Sequence, residues 1–381
     1  MTVPGTETMP DTALASLAAD EARAAAIDAR VRGVVRDDVL AMRAYHAPRG
    51  DGMLKLDAME NPYPLPEDLR ARIGAAAASA PINRYPDATA EALKQSLRES
   101  FALGDGVDLV LGNGSDELIA MLTALVARPG ATIVAPEPSF VMYRVSAAIA
   151  NLRYVGVPLA DDFALDVDAM RAAIARERPA LVWLAFPNNP TGNLFDTAAI
   201  EAIVREAPGI VAIDEAYYAF ANRSFILRAR DFDNVIVVRT VSKIGMAALR
   251  LGYAVGDPGW MRELDKLRPP YNVGTLTQVV APILLAETAL LESQAKAIVD
   301  ERERLHAALA ALPRVRAFPS RANFVLARFA DANATFEHLR RAGILVKNMH
   351  GTHPALAQCL RITVGTIEDN DRVLAALGPR P

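Results

Sequence analysis

Three short apolar runs in the middle of the chain restrict the possible folds more than any other feature. They are ALVWLAF at 180–186, GIVAID at 209–214 and NVIVVRT at 234–240. Runs of this length, rich in β-branched residues and separated by helical stretches, are typical of strands buried on both faces of a parallel sheet. The sequence therefore predicts an α/β fold with a mostly parallel sheet covered by helices.

The pattern changes near residue 270, where RPPYNVG interrupts it. Residues 275–312 then read as one long helix, and 313–381 as a small α+β unit. We predict three parts from these changes. They are an N-terminal extension at 1–32, flexible or loosely helical, a large α/β domain at 65–270, and a smaller α+β domain from 33–64 and 271–381.

Composition excludes several classes of protein. The 381 residues carry a net charge of −4 and are 52% hydrophobic, which argues against a nucleic-acid or anionic-membrane binder and against disorder. No apolar run reaches the ~18 residues of a membrane helix, and the acidic N-terminus lacks a secretory signal. Cys359 is the only cysteine, so we expect no disulfide within the chain. No run of carboxylates lies near His350 and His353 in the sequence to complete a metal site, so we expect no metal. Cytoplasmic location is the default expectation.

Reactive side chains follow the predicted strands. In open α/β sheets, ligands bind beyond the carboxyl ends of the strands, so these side chains could meet at one edge. A glycine turn and a helix start there would also offer free N–H groups to a phosphate. The side chains in question are Ser115, Asn189, Asp214, Tyr217, Lys243 and Arg250.

This combination of residue types suits pyridoxal 5′-phosphate. The cofactor needs an amine for its aldehyde, a carboxylate at its pyridine nitrogen, and hydrogen-bonding groups at O3′. A cation, a hydroxyl and a helix N-terminus can hold its phosphate. The sequence thus predicts a pyridoxal-phosphate enzyme rather than a metalloenzyme.

Three motifs in one order carry a family resemblance. They are NNPTG at 188–192, DEAY at 214–217, and TVSK at 240–243 followed by RLGY at 250–253. Together they resemble the fold-type I, class I/II pyridoxal-phosphate-dependent aminotransferases. The resemblance implies the fold-type I transferase architecture, with a large cofactor-binding domain and a smaller α+β domain.

Further segments narrow the resemblance. MENPYP at 59–64, NRYPD at 83–87 and LRITVGT at 360–366 are similar to the histidinol-phosphate aminotransferase family, from about residue 33 to the end. Two departures stand out. The loop between Lys243 and Arg250 is shorter than is common there, and Met59 stands where asparagine is usual.

The resemblance implies roles for individual residues. Lys243 is the Schiff-base lysine and general acid/base, and Asp214 pairs with the pyridinium nitrogen. Tyr217 and Asn189 hydrogen-bond O3′, and Phe140 stacks on the ring. The cofactor phosphate is held by the group Ser115, Asp116, Ser242 and Arg250.

The resemblance also implies substrate contacts and a homodimer with shared active sites. Arg361 binds the anionic group of either substrate, because one guanidinium can fork onto a carboxylate or a phosphate. Arg372 assists, Tyr45 and Asn323 are candidate substrate contacts, and Tyr63 reaches the phosphate site of the partner subunit.

Simpler structural roles stay open for several of these residues. Ser115 could be only a helix N-cap, and Phe140 could be only core. Tyr63 could pack locally without reaching a partner, and Arg372 could be a solvated helix residue. Tyr45 and Asn323 could be purely structural.

These expectations favour a reversible transamination. L-Histidinol phosphate and 2-oxoglutarate are interconverted with imidazole-acetol phosphate and L-glutamate. The alternative is a related pyridoxal-phosphate enzyme acting on aromatic amino acids or threonine phosphate. A nicotinamide dehydrogenase fits poorly, because Glu117 stands where the third glycine of its fingerprint belongs. A non-catalytic DNA-binding regulator would need a further module, and the acidic extension does not provide one.

Overall fold

The computed structural model describes residues 11–42, 44 and 50–378. The chain divides into two compact units, Met1–Arg49 and Gly50–Pro381. The first contains helices α1 (Asp11–Val34) and α2 (Asp37–Leu40), and its described side chains from residue 19 onward are almost all exposed. The candidate substrate contact Tyr45 lies outside the described residues.

The second unit alternates strands and helices. Its strands are β1 (Leu54–Leu56), β2 (Asp108–Asn113), β3 (Thr132–Glu137), β4 (Arg153–Pro158), β5 (Leu181–Ala185), β6 (Ile210–Asp214), β7 (Val235–Thr240), β8 (Leu251–Gly256), β9 (Arg316–Ala317), β10 (Phe324–Arg328), β11 (Ile344–Asn348) and β12 (Cys359–Thr363). Its helices are α3 (Glu67–Ser79), α4 (Glu91–Ser100), α5 (Ser115–Leu125), α6 (Val141–Ile149), α7 (Val167–Glu177), α8 (Thr197–Glu206), α9 (Pro258–Asp265), α10 (Thr275–Leu285), α11 (Thr288–Ala311), α12 (Ala332–Arg341) and α13 (Ile367–Leu377).

The larger sheet has the strand order β2-β8-β7-β6-β5-β3-β4. Pairing is parallel from β7 through β4, whereas β8 runs antiparallel to both β7 and β2. The predicted mostly parallel sheet is therefore confirmed. The sequence patterns did not predict the antiparallel strand β8.

Side chains on both faces of this sheet are buried. Along β5, Val182 and Leu184 pack in one hydrophobic cluster, while Leu181 and Trp183 pack in another on the opposite face. This alternation follows from the two-residue repeat of a strand. Burying one side chain of this size contributes roughly 1.5–3 kcal/mol to the free energy of folding. The continuous apolar runs are thus explained by helices covering both faces, and the predicted α/β class is confirmed.

The topology places several strand ends at one edge of the sheet. Strands β5, β6 and β7 run parallel, so their carboxyl ends meet there. Strand β2 is antiparallel to β8, which is itself antiparallel to β7, so β2 ends at the same edge. The loops that follow these four strands can therefore share one site.

The smaller sheet has the order β1-β11-β12-β10-β9. Strand β1 pairs in parallel with β11, although about 290 residues separate them, so an early segment and the C-terminal region build this sheet together. Its core includes Phe324, Ile344 and Ile362, with Leu305 of α11 and Val373 of α13. The division at residues 64/65 and 270/271 stays a prediction.

One expectation is wrong: the long helix at 275–312 is two helices. Helix α10 ends at Leu285 and α11 begins at Thr288, with an angle of 79° between them. Leu284 packs on the core of the larger sheet, whereas Leu305 packs on that of the smaller sheet. Because the two halves bury their apolar faces on different cores, the chain turns between them. Among the described residues no single helix meets the length and hydropathy of a membrane span; α10 and α11 meet them only as this bent pair.

Candidate active site

A cavity of about 260 Å³ lies at the edge where β2, β5, β6 and β7 end. It brings together nine of the residues that the sequence singled out. These are Ser115, Asp116, Phe140, Asn189, Asp214, Tyr217, Ser242, Lys243 and Arg250. Ala58, Met59 and Glu60 also line it; of these the sequence analysis noted only Met59, as a departure from the family pattern. The convergence matches what the strand-end pattern led us to expect.

The turn between β2 and α5 needs glycine for two reasons. Gly114 has φ 79°, and a Cβ there would lie 2.7 Å from an Nη of Arg250. A Cβ on Gly252 would lie 2.7 Å from the backbone N of Ser115. The N-cap of α5 is Gly114 rather than Ser115, and Ser115 is the first helical residue. Ser115 and Asp116 line the cavity, so the first turn of α5, whose N–H groups have no partner within the helix, lies at its wall.

Arg250 approaches this turn from the other side. Its guanidinium donates to Ser242 Oγ at 3.4 Å and lies 3.8 Å from a carboxylate oxygen of Asp116. Thr240 Oγ1 also donates to Ser242 Oγ, at 2.9 Å. Both Arg250 and Asp116 are half exposed. The short loop after Lys243 thus still delivers Arg250 to the cavity.

Asp214 lines the buried part of the cavity. One oxygen accepts a hydrogen bond from Tyr143 Oη at 2.7 Å, and the other accepts from the backbone N–H of Ala216 at 3.0 Å. Burial raises the pKa of Asp214 to about 6, although both hydrogen bonds act in the opposite direction. Sequence reasoning missed Tyr143, because a tyrosine inside an apolar helix carries no motif.

Lys243 extends into the cavity from the 3-10 turn after β7. Its Nζ donates to the carbonyl of Ala58 at 3.1 Å. Burial, with a smaller contribution from the nearby Arg361 cation, lowers the pKa of Lys243 to about 8. A larger fraction of this amine is therefore neutral and nucleophilic near pH 8 than for an ordinary lysine.

A chain of hydrogen bonds joins the two sheets. Asn189 Nδ2 donates to Tyr217 Oη at 3.1 Å, and Arg361 Nη1 donates to Asn189 Oδ1 at 2.6 Å. Arg361 is buried on β12, with its guanidinium 5.4 Å from the ring centroid of Phe324. The amide of Asn189 thus orients both the phenol of Tyr217 and the guanidinium of Arg361.

The segment that follows β1 is fastened by three of the candidate residues. The carbonyls of Asp57, Ala58 and Met59 accept hydrogen bonds at 2.9–3.1 Å. Their donors are the side chains of Arg361, Lys243 and Asn323, respectively. Met59 has φ 56°, a left-handed conformation that asparagine adopts more readily than methionine. Asn323 is thus placed to hold this segment rather than to line the cavity.

Four of the described candidates are not among the residues that line the cavity. Arg361 and Asn323 donate hydrogen bonds to the lining residues Asn189 and Met59, and the other two are Tyr63 and Arg372. Tyr63 is partly buried and packs against the core of the smaller sheet, and Arg372 is exposed on α13. Burial and the nearby Glu301 carboxylate raise the pKa of Tyr63. Within one chain, therefore, neither side chain joins the convergent set.

The family of the chain follows from a match over residues 51–377 to the model described as aminotransferase class I and II. This chain belongs to that family.

Two relatives are similar over nearly their whole length. The histidinol-phosphate aminotransferase 1 of Burkholderia lata is 53% identical over 345 residues, which are 90% of this chain and 97% of the relative. The histidinol-phosphate aminotransferase of Chromobacterium violaceum is 51% identical over 347 residues, 91% and 98% of the two chains.

Solved structures share the architecture. The crystal structure of histidinol-phosphate aminotransferase from Sinorhizobium meliloti in complex with pyridoxal-5′-phosphate matches with a TM-score of 0.81 and 26% identity. The match covers 90% of this chain and 96% of that one. The predicted fold-type I transferase architecture is confirmed.

Proposed function

We propose that this chain is a pyridoxal-phosphate-dependent aminotransferase of histidine biosynthesis. It interconverts L-histidinol phosphate and 2-oxoglutarate with imidazole-acetol phosphate and L-glutamate. One observation carries the proposal: a partly buried amine, a buried carboxylate and a helix start lined by a guanidinium and a hydroxyl share one cavity. Two relatives named histidinol-phosphate aminotransferase are similar over at least 90% of this chain, and this similarity supports the choice of substrate.

The donor set fits the cofactor. Lys243 suits its aldehyde and Asp214 suits its ring nitrogen, while Tyr217 and Asn189 suit O3′ and Phe140 suits the ring face. Ser115, Asp116 (through its backbone N–H), Ser242 and Arg250 suit the phosphate. The glycine at position 114 leaves room there that a Cβ would fill. The bound cofactor would supply an electron sink for the carbanion that forms when the substrate loses its Cα proton.

Lys243 has two tasks in this proposal. Its amine binds the cofactor aldehyde and, once released, would move a proton from the substrate Cα to the cofactor C4′, and from C4′ to Cα of the second substrate in the reverse half of the cycle. Burial favours the neutral amine, because it lowers the pKa of Lys243 to about 8. The same side chain therefore acts as nucleophile and as base at near-neutral pH.

Arg361 provides the anion site for both substrates. Glutamate offers an α-carboxylate, whereas histidinol phosphate offers a phosphate ester near its amine. A guanidinium forks onto either group, and burial strengthens the charge-assisted hydrogen bonds. Asn189 holds Arg361 and Tyr217 at the same time, so substrate anion and cofactor O3′ would be positioned by one amide.

The proposal includes a homodimer with shared active sites. Tyr63 does not line the cavity of its own chain, which is compatible with a contact to the partner's phosphate site. Arg372 and Tyr45 keep their proposed roles as substrate contacts, and Asn323 would act by holding the Met59 carbonyl. Cytoplasmic location also stays part of the proposal, in keeping with small metabolites as substrates.

An absorbance spectrum of the cofactor-loaded protein tests the reaction. We expect L-histidinol phosphate alone to replace the visible band by a pyridoxamine-like spectrum, and 2-oxoglutarate to restore it. If the band is present but does not respond, the cofactor assignment stands and the substrate is wrong. Aromatic amino acids and threonine phosphate would then be tested in the same way.

A further inference from the structure

Tyr143 is a buried titratable residue to which neither the motifs nor the proposed reaction assigns a task. It lies on α6, three residues after Phe140, and its side chain is fully buried. Its Oη donates a 2.7 Å hydrogen bond to Asp214 Oδ2. This hydroxyl is one of two donors to the Asp214 carboxylate that the structure describes, and the other is a backbone N–H.

Aromatic packing fixes the position of that hydroxyl oxygen. The Tyr143 ring stacks on Trp183 of β5, with centroids 4.6 Å apart and planes within 4°. Phe140 meets the same ring edge-on at 5.7 Å. A ring held on two sides keeps its hydroxyl oxygen within reach of the Asp214 carboxylate, so the hydrogen bond is preorganised. Phe140, the N-cap residue of α6, also lines the cavity, so the start of this helix places one ring at the site and a second ring, three residues on, at the carboxylate.

The electrostatic surroundings give this hydrogen bond a consequence. Burial raises the pKa of Asp214, and the negative charges of Asp116 on α5 and of Glu215 add to that rise. The hydroxyl of Tyr143 and the N–H of Ala216 lower the pKa of Asp214. Tyr217 also faces Asp214, and burial raises the pKa of its phenol, so it stays neutral. Without Tyr143, fewer donors would favour the ionised carboxylate.

We propose that Tyr143 is a positioning residue that keeps Asp214 ionised and correctly oriented towards the cofactor ring nitrogen. The inference rests on the proposed function. An ionised Asp214 favours a protonated ring nitrogen, whereas a neutral Asp214 would leave that nitrogen without its countercharge. Tyr143 acts only through Asp214, since its hydroxyl is turned towards that carboxylate.

The test compares the wild-type holoenzyme with Tyr143→Phe, which removes the hydroxyl and keeps the ring. Protein loaded with cofactor labelled with ¹⁵N in the ring is titrated by NMR, so that protonation of the ring nitrogen is read without turnover. We expect the pH at which the nitrogen loses its proton to fall by about one unit, a tenfold change in proton affinity. We expect kcat with histidinol phosphate to fall about tenfold.

Tyr154→Phe is the matched control. Tyr154 lies on β4 and packs against the same cluster, but its phenol faces Glu137 and Arg144 rather than Asp214. We expect its titration to equal that of the wild type. In an Asp214→Asn background, Tyr143→Phe should cause no further change, because its route of action is already removed.

Three results would overturn the inference. They are a wild-type titration curve in Tyr143→Phe, an equal shift in Tyr154→Phe, or a further loss in the Asp214→Asn background. A packing role alone predicts that Tyr143→Leu loses activity while Tyr143→Phe stays normal. Failure of the proposed function is distinguishable, because the wild-type protein itself would then show neither bound cofactor nor a response to histidinol phosphate.

Discussion

The two ends of the cavity use charge in different ways. At the inner end, Asp214 is only 4% exposed and both of its oxygens accept hydrogen bonds of 2.7–3.0 Å. At the rim, Arg250 and Asp116 are 50% exposed and lie 3.8 Å apart. Water screens the rim pair, whereas protein surrounds the inner carboxylate. The same types of side chain therefore have unequal influence on the chemistry.

This difference determines where substitutions should be costly. A buried group cannot be replaced by water, so its loss removes both a charge and the geometry that its partners enforce. A rim group shares its task with a helix start and a hydroxyl, so its loss is partly compensated. We therefore expect effects that decrease from the interior of the site to its rim.

The largest expected effect is that of Lys243→Ala. It removes both the nucleophile and the base, so turnover should fall by about 10⁴-fold or more. The fold should persist, since within the described part of the chain the Lys243 amine makes one hydrogen bond, to the Ala58 carbonyl, in addition to its packing. Steady-state kinetics and far-UV circular dichroism check the two parts of this expectation. Normal turnover in the variant would refute the assignment of the site.

Asp214→Asn should have the next largest effect and should also raise stability. Turnover should fall about 10²–10³-fold, the usual cost of losing one preorganised electrostatic contact. In the cofactor-free protein, burial raises the pKa of Asp214 from 3.8 to about 6. The carboxylate thus contributes stability below pH ~4 that is lost as the pH rises through 6, a change of up to ~3 kcal/mol.

Urea unfolding of the two cofactor-free proteins checks this sign. The asparagine has no charge to bury, so the variant should be more stable than the wild type at pH 8, and the difference should shrink at pH 4. A variant that is less stable than the wild type at pH 8 would show that burying the ionised Asp214 carboxylate does not destabilise the fold. The comparison of interior and rim would then lose its physical basis.

Sequence predicted much of the interior because topology alone assembles it. Asp214 ends strand β6 and Lys243 follows strand β7, and the ends of these strands meet in a parallel sheet. A residue just after such a strand is brought to the site regardless of detail. Arg361 lies on the other sheet and was reached only through the family resemblance, because no strand-end rule places it near Asn189.

Sequence could not predict the contacts that depend on side-chain packing. Tyr143 sits in an apolar helix, and its packing against Trp183 and Phe140 places its hydroxyl next to Asp214. The Ala58 carbonyl belongs to a residue whose side chain carries no chemistry, yet it binds Lys243. Likewise, the break between α10 and α11 depends on which core each helix covers, which periodicity does not reveal.

Arg361→Ala probes the buried cation that we propose as the anion site for both substrates. Loss of charge-assisted hydrogen bonds should lower kcat/KM roughly 10–100-fold for both glutamate and histidinol phosphate. Arg361→Lys is the control, since it keeps the charge but not the fork, and we expect an intermediate loss. Parallel kinetics with both substrates make the test. A loss for one substrate alone would mean that the two anions bind at separate places.

Arg250→Ala should have the smallest effect, because it lies at the exposed rim. The cofactor phosphate would keep the start of α5 and Ser242, and a half-exposed ion pair contributes at most about 1 kcal/mol. We expect cofactor affinity to fall about fivefold, with kcat nearly unchanged at saturating cofactor. The wild-type affinity should also weaken with added salt, and the variant should lose most of that dependence. Equilibrium titration of the cofactor-free proteins at two ionic strengths measures both. Suppose instead that the cofactor affinity of Arg250→Ala fell by as large a factor as the turnover of Asp214→Asn. Exposure would then not predict the effect of a substitution, and the rim and the interior of the site would not differ.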